Sequence, residues 1–206
     1  MAAQIHSIIF DLGNVLISWD PKRVYNQVFQ NDSKKVDWFL TEVCSMDWNE
    51  NQDAGYPLEQ ATADRVALFP QYEEWIRMYY GRWEEMLGGA IEPTVEILRE
   101  IKATGKYRVV ALTNWSAETF PIALEKFEFL SWFEGIVVSG EEQTRKPFAD
   151  IYDICLNRFE LQAQNSLFID DNARNIEAAQ TMGLQTHLFK DAKDLRADLV
   201  ERKVLS

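Results

Sequence analysis

Six side chains carry the chemistry that this sequence could perform. Asp11 follows the apolar run at residues 5–10, and Thr113-Asn114 follows the run at 107–112. Lys146 stands beyond Gly140 and directly before Pro147, while Asp170-Asp171-Asn172 follows residues 166–169. Asp11, Thr113-Asn114 and Asp170-Asp171-Asn172 sit at or just after the end of a short apolar segment, and Lys146 in the loop that follows residues 135–138, which is where open α/β sheets bind ligands. In a parallel sheet these ends share one edge, so three carboxylates, a hydroxyl, an amide and an ammonium would meet in one crevice. Carboxylates crowded at low dielectric repel, so the cluster calls for a cation. Its donors are all oxygen, which favours Mg²⁺ over zinc or copper.

The segments between these groups must supply the sheet and its helices. Residues 5–10, 107–112, 135–138 and 166–169 read as buried strands, and 186–189 as a fifth. Helices are expected at 93–104, 117–127, 147–159, 173–182 and 191–202, with Gly105 and Gly183 closing two of them. This alternation predicts an α/β fold with a Rossmann-like, doubly wound parallel sheet. Residues 21–87 instead read as helix throughout, broken by a polar loop at 46–57 and by Pro70. The organisation expected is a core of residues 1–16 plus 89–206, with a helical cap at 17–88 inserted after the first strand. Gly88-Gly89 would hinge it back to the core, and cap motion there and near Trp19 would admit substrate and exclude water.

Composition removes several classes of function. With 47% hydrophobic residues the chain can bury a core, which excludes a disordered or low-complexity polymer. Its 33 acidic against 21 basic residues give a net charge of −12, which repels phosphate backbones and anionic lipid, so neither nucleic acid nor membrane is an expected partner. No apolar stretch is long enough to span a bilayer, and the run ending at Phe10 is too short for a signal-peptide core. Cys44 and Cys155 form neither a ligand pattern nor a disulfide framework, which fits a reduced, cytoplasmic protein.

The motifs Phe10-Asp11-Leu12-Gly13-Asn14-Val15, Leu112-Thr113-Asn114, Arg145-Lys146-Pro147 and Phe168-Ile169-Asp170-Asp171-Asn172 together resemble the haloacid dehalogenase-like hydrolases, mostly aspartate-nucleophile phosphatases. The opening and closing motifs are similar to those of the glucose-1-phosphate phosphatase group and of the phosphatase domain of soluble epoxide hydrolases. The resemblance implies a Mg²⁺-dependent phosphatase of small phosphorylated metabolites, sugar phosphates such as glucose 1-phosphate among them. It makes Asp11 the nucleophile that forms an aspartyl-phosphate. Mg²⁺ would be held by Asp11, the Gly13 carbonyl and Asp171, with Asp170 ligating through water or orienting its neighbour. Thr113 and Asn114 would bind phosphate, and Lys146 would pair with the phosphoryl group and the carboxylates.

One position departs from the family pattern. Most of its phosphatases carry a second Asp two places after the nucleophile, as general acid and base; here that place is Gly13, and the usual Thr two further on is Val15. Loss of the proton donor costs about 10²–10⁴-fold in rate. The expectation is a preference for leaving groups that need little protonation, such as anomeric, acyl or aryl phosphates, unless Asn14 or a cap residue supplies the proton. The gap also argues against a mutase.

Bland alternatives exist for every group alone. Asp11 could close a turn, Asp170-Asp171-Asn172 could cap a helix, Thr113-Asn114 could do the same, and Lys146 could be a solvated lysine. Their joint occurrence at four strand ends is what favours a site. Trp38, Trp75 and Trp83 read as packing residues. Trp48, in the polar segment with Asp47, Asn49 and Asp53, could face the crevice, and Trp19 and Trp115 flank two of the strand-end loops. His6 and His187 show no catalytic partner, and the last helix reads as solvated. Three other functions remain open: a 2-haloacid dehalogenase, against which the acidic pair argues; a phosphoacceptor signalling domain, whose acidic pair would come on the first strand; and a catalytically weak binding protein, suggested by Gly13.

Overall fold

A computed structural model describes residues 3–206; the first two residues of the expected 1–16 core segment lie outside it. Five strands form one parallel sheet in the order β5-β4-β1-β6-β7, namely Ile136–Val138, Arg108–Thr113, Ser7–Phe10, Ser166–Asp170 and Gln185–Leu188. Register pairs Ile9 of β1 with Val110 on one side and with Phe168 on the other. The strands read as continuous apolar runs because both faces of the sheet are covered. Ile8 and Phe10 of β1 join a core with α6 (Glu92–Thr104), α7 (Phe120–Lys126) and α11 (Ala192–Glu201). Ile9 points the other way, toward α9 (Ala149–Arg158) and α10 (Ala173–Thr181). From β1 the chain builds outward through β4 and β5, then returns to lay β6 on the opposite side of β1. The order therefore reverses at β1 and β6, where their carboxyl ends leave a crevice.

The helical segment begins and ends on a second, two-stranded antiparallel ribbon of β2 (Ile17–Trp19) and β3 (Leu87–Ala90). Gly88 and Gly89, expected as a hinge, are part of this ribbon. Gly88 falls at a shift of register, where Ser18 pairs with Gly89 and Trp19 with Leu87. A Cβ at Gly88 would come within 2.2 Å of the Arg23 guanidinium, and Gly89 has φ +99°, so the crossing uses glycine for both room and conformation. Strands of three and four residues, one containing two glycines, present no readable period.

Between them run α1 (Lys22–Val28), α2 (Ser33–Trp38), α3 (Met46–Asp53), α4 (Leu58–Leu68) and α5 (Glu73–Gly81). Tyr25, Phe29, Phe39 and Trp75 form its aromatic centre, with ring centroids 4.6–6.1 Å apart among the contacting pairs. Residues 46–53, expected as loop, are helix α3. Ser45 caps it by accepting the Trp48 N–H at 3.3 Å, and the face it buries holds Asn49 and Gln52, so no hydrophobic stripe announces it. The helix expected at 72–87 is interrupted after Gly81 and finishes as a 3₁₀ turn over Trp83–Met86. Among the described residues no helix is long and apolar enough to cross a membrane, and Cys44 and Cys155 are free and buried.

A candidate active site at the strand ends

Backbone topology brings the strand-end residues together. Asp11 follows β1, Asp170 closes β6, and the loop between the short α8 (Ser139–Glu142) and α9 drops Lys146 between them. Lys146 is 1% exposed; its Nζ lies 2.9 Å from Asp11 Oδ1 and 2.6 Å from Asp170 Oδ2, and donates to the Leu112 carbonyl at 3.0 Å. Burial works against the ammonium, but the two carboxylates overcome it and hold its pKa above the ordinary lysine value. At Asp11 burial wins: desolvation, with Asp170 and Asp171 adding repulsion, pushes the carboxyl up to about 7 despite the pull of Lys146. Burial and Asp170 also raise the pKa of Asp171. One lysine does not balance three carboxylates.

Asp11, Asp170 and Asp171 can each present an oxygen such that all three lie within 4.8 Å of one another. This compact, hard-oxygen set fits a small divalent cation. The three members differ. Asp170 is fully buried, and its oxygens accept from Lys146, from the Asn172 N–H at 2.8 Å and from Asn175 Nδ2 at 3.0 and 3.1 Å. Asp171 is exposed to the cavity beside it, and Gly13 lines the same cavity.

The other expected residues divide. Asn114 reaches the cavity, but its amide clamps the Lys146 backbone: Nδ2 donates to the Lys146 carbonyl and Oδ1 accepts the Lys146 N–H, both at 2.9 Å. It positions the lysine, and one hydrogen of its amide is not used in this clamp. Thr113 is fully buried next to it, and its Oγ1 has no partner among the described residues. Asn172 caps α10 by accepting the Arg174 N–H at 3.0 Å.

The rest of the lining of the cavity, whose volume is about 450 Å³, comes from α3 and from tryptophans. Trp19, Trp83 and Trp115 line it, the last two packed at 5.4 Å between centroids. The indole N–H groups of Trp19 and Trp115 are buried without partners among the described residues. Trp83, expected only to pack, thus does both, whereas Trp48 turns away to Tyr79 and Tyr80, 5.1 and 5.4 Å off. Helix α3 contributes Asn49, Glu50 and Asp53. Glu50 is gripped by Arg145 at 2.7 Å and Arg174 at 2.5 Å, which ties α3 to the loop before α9 and to the start of α10. Burial pushes the Asp53 carboxyl up to about 7; Glu50 and, more weakly, Asp11 add to this, while Arg145 and the Ser116 N–H oppose it.

Asn175, Glu50 and Arg174 had no signal in the sequence beyond polarity. Asn175 faces the site only because α10 starts at Asn172 and brings position 175 round beneath Asp170. His187 lies within β7, and its Nδ1 is 3.0 Å from Asp198 of α11, whose carboxylate also holds Arg202 at 2.7 Å. That pairing braces the final helix far from the crevice residues in sequence, and the face of α11 is not merely solvated.

Comparison with known proteins places these features in a family. A family model described as haloacid dehalogenase-like hydrolase matches residues 8–189. The chain is 26% identical over 190 residues to a sesquiterpene phosphatase of Aspergillus oryzae, covering 89% of each. It is 24% identical to a drimenol cyclase of Aspergillus calidoustus, of whose length it spans 36%. Among solved structures, a predicted haloacid dehalogenase-like hydrolase of Porphyromonas gingivalis superposes with a TM-score of 0.72 at 18% identity, over 99% of this chain and 100% of the other. A haloacid dehalogenase family enzyme of Bacteroides thetaiotaomicron, in complex with magnesium and inorganic phosphate, gives 0.65 at 21% identity, over 91% and 95%.

Proposed function

Because the chain belongs to the haloacid dehalogenase-like hydrolases, we propose that it is a Mg²⁺-dependent phosphatase of small phosphorylated metabolites that works through an aspartyl-phosphate. The observation that carries this is the contact of Asp11 with Lys146 at 2.9 Å, beside Asp171, at the crevice where the strand order reverses. Asp11, Asp171 and the Gly13 carbonyl would hold the ion, with Asp170 orienting Lys146. When bound, Mg²⁺ supplies positive charge that screens the nucleophile from phosphoryl oxygens and offsets charge in the transition state.

Asp11 then attacks phosphorus in line. Oδ1 is fixed by Lys146 and by the Leu12 N–H at 2.8 Å, so the second oxygen is the one left to react. Lys146, the Thr113 hydroxyl and the remaining Asn114 amide hydrogen donate to phosphoryl oxygens. The block at residues 17–88 serves as a cap that carries the leaving-group wall. Three indoles beside the amide of Asn49 and the carboxylates of α3 suit a polyol that stacks on aromatic faces and hydrogen-bonds at its edge, which supports a sugar phosphate such as glucose 1-phosphate. A second reading is favoured by Met46 and the same indoles, and by the phosphatase relative that acts in sesquiterpene chemistry: the monophosphate of an apolar alcohol. The protein is expected to work in the cytoplasm.

A panel of phosphorylated metabolites containing hexose and sesquiterpenyl monophosphates, with p-nitrophenyl phosphate, tests both. Turnover should require Mg²⁺, and Asp11→Asn should abolish it. Chloride release from chloroacetate in EDTA, with no phosphatase activity, would replace this function by a dehalogenase.

A further inference from the structure

In-line displacement fixes where the departing oxygen must lie. With Asp11 attacking from the strand ends, the bond that breaks points away from Asp11 into the cavity that α3 also lines. That oxygen needs a proton, and position 13 has no side chain to give one. A Cβ there would meet nothing within 4 Å, so no neighbour crowds the position and the gap is one of chemistry. Two titratable side chains of α3 line the cavity among the described residues, Glu50 and Asp53. Both Glu50 oxygens are taken, Oε2 by Arg145 and Oε1 by Arg174. Asp53 forms no ion pair among the described residues. It is held by neutral donors, Asn49 Nδ2 at 3.0 Å from Oδ2 and the Ser116 N–H, and the Tyr80 hydroxyl fixes the Asn49 amide by donating to its Oδ1 at 3.0 Å. The Ser139 hydroxyl donates to the Asp53 carbonyl at 2.5 Å and pins this end of α3 to the core.

We infer that Asp53 is the catalytic residue that protonates the leaving oxygen and then accepts a proton from the hydrolytic water, in place of the side chain missing at position 13. This rests on the phosphatase function proposed above. In the first half, the Asp11 oxygen–phosphorus bond forms, the ester bond breaks, and the Asp53 proton passes to the leaving oxygen to give an alcohol. In the second, water attacks phosphorus, its proton goes to the Asp53 carboxylate, and the Asp11–phosphorus bond breaks to release inorganic phosphate. Burial suits Asp53 to both directions by pushing its carboxyl up to about 7, with Glu50 and Asp11 raising it and Arg145 and the Ser116 N–H lowering it; the phenols of Tyr79 and Tyr80 beside it stay neutral. Because a donor is present, the narrow preference for easily departing groups expected from Gly13 is not required.

The test compares two substrates with Mg²⁺ present: benzyl phosphate, whose alcohol must be protonated, and 2,4-dinitrophenyl phosphate, whose phenolate leaves unaided. Asp53→Asn should lower kcat/KM for benzyl phosphate by about 10²–10⁴-fold. It should leave the rate of the dinitrophenolate burst within about tenfold and slow the turnover that follows, since water has lost its base. Equal losses for both substrates, or none for either, would overturn the assignment. The unmodified protein gives an independent readout: the ratio of kcat/KM for benzyl over dinitrophenyl phosphate should decline above pH about 7, and a ratio flat from pH 6 to 9 overturns it too. If the unmodified protein hydrolyses neither compound, it is the phosphatase function that fails, and the assignment falls with it.

Discussion

At Asp53, the burial that suits a carboxyl to donate a proton also makes its charge costly to the folded state. Its pKa is about 7 in the fold, against about 3.9 in an unfolded chain. Between those values the folded protein binds more protons than the unfolded one, so stability is lost as pH rises from about 4 to about 7 and is level beyond. Asparagine keeps the shape and stays neutral throughout. In EDTA, Asp53→Asn should therefore match the unmodified protein in urea unfolding near pH 4 and exceed it at pH 8. The excess should be on the order of 2 kcal/mol, well under the full linkage value because the side chain borders an open cavity. Parallel stability curves across that range would show that the residue is ionised and well solvated in the fold. Lys146 shows the complementary case, a fully buried cation whose charge is tolerable because two carboxylates and a carbonyl surround it.

Helix α3 is the element through which the helical block reaches the chemistry. It is short and buries polar residues, so its hold on the core depends on its ends and its ion pairs. Ser45 caps its start, the Ser139 hydroxyl binds the carbonyl of Asp53, its last residue, and Glu50 bridges Arg145, next to Lys146, with Arg174 of α10. Ser45→Ala removes the cap acceptor and should cost about 1 kcal/mol in chemical denaturation, with Ser45→Asp restoring most of it. Because Asn49, Glu50 and Asp53 ride on the same helix, the alanine variant should also lose activity in proportion. A loss of stability without any change in turnover would detach α3 from catalysis.

The molecule as a whole carries a net charge of −12, and its acidic cluster lies where the sheet order reverses. A cation that binds only the folded state stabilises it by mass action, about 2.7 kcal/mol at a hundred times its Kd. For a chain of this length that corresponds to a rise in Tm of about 5–10 °C. Calorimetry with and without Mg²⁺ should show the rise, and excess chelator should reverse it. Asp171→Asn should remove most of the shift while leaving the metal-free Tm equal or higher, since one member of a repelling cluster is gone. An undiminished Mg²⁺ response in that variant would move the ion elsewhere.

The alternation of apolar runs and helical patterns was enough to read the parallel sheet, because burial on both faces writes itself into the continuous apolar runs of β1, β4 and β6. Turn-type and charged residues at the strand ends likewise marked Asp11, Lys146, Asp170 and Asp171, since a carboxylate directly after a buried strand is locally conspicuous. Helix α3 and the β2–β3 ribbon were illegible for the opposite reason: one buries amides, and the other is too short and glycine-rich to show a period. That Asn114 clamps Lys146 and that Glu50 is locked between two arginines are contacts between residues 32 to 124 positions apart, and Asp53 lines the same cavity as Asp11 only in the folded chain. Local sequence encodes which backbone an element prefers; it holds no record of which side chains distant elements bring within hydrogen-bond reach, and only the folded chain decides that.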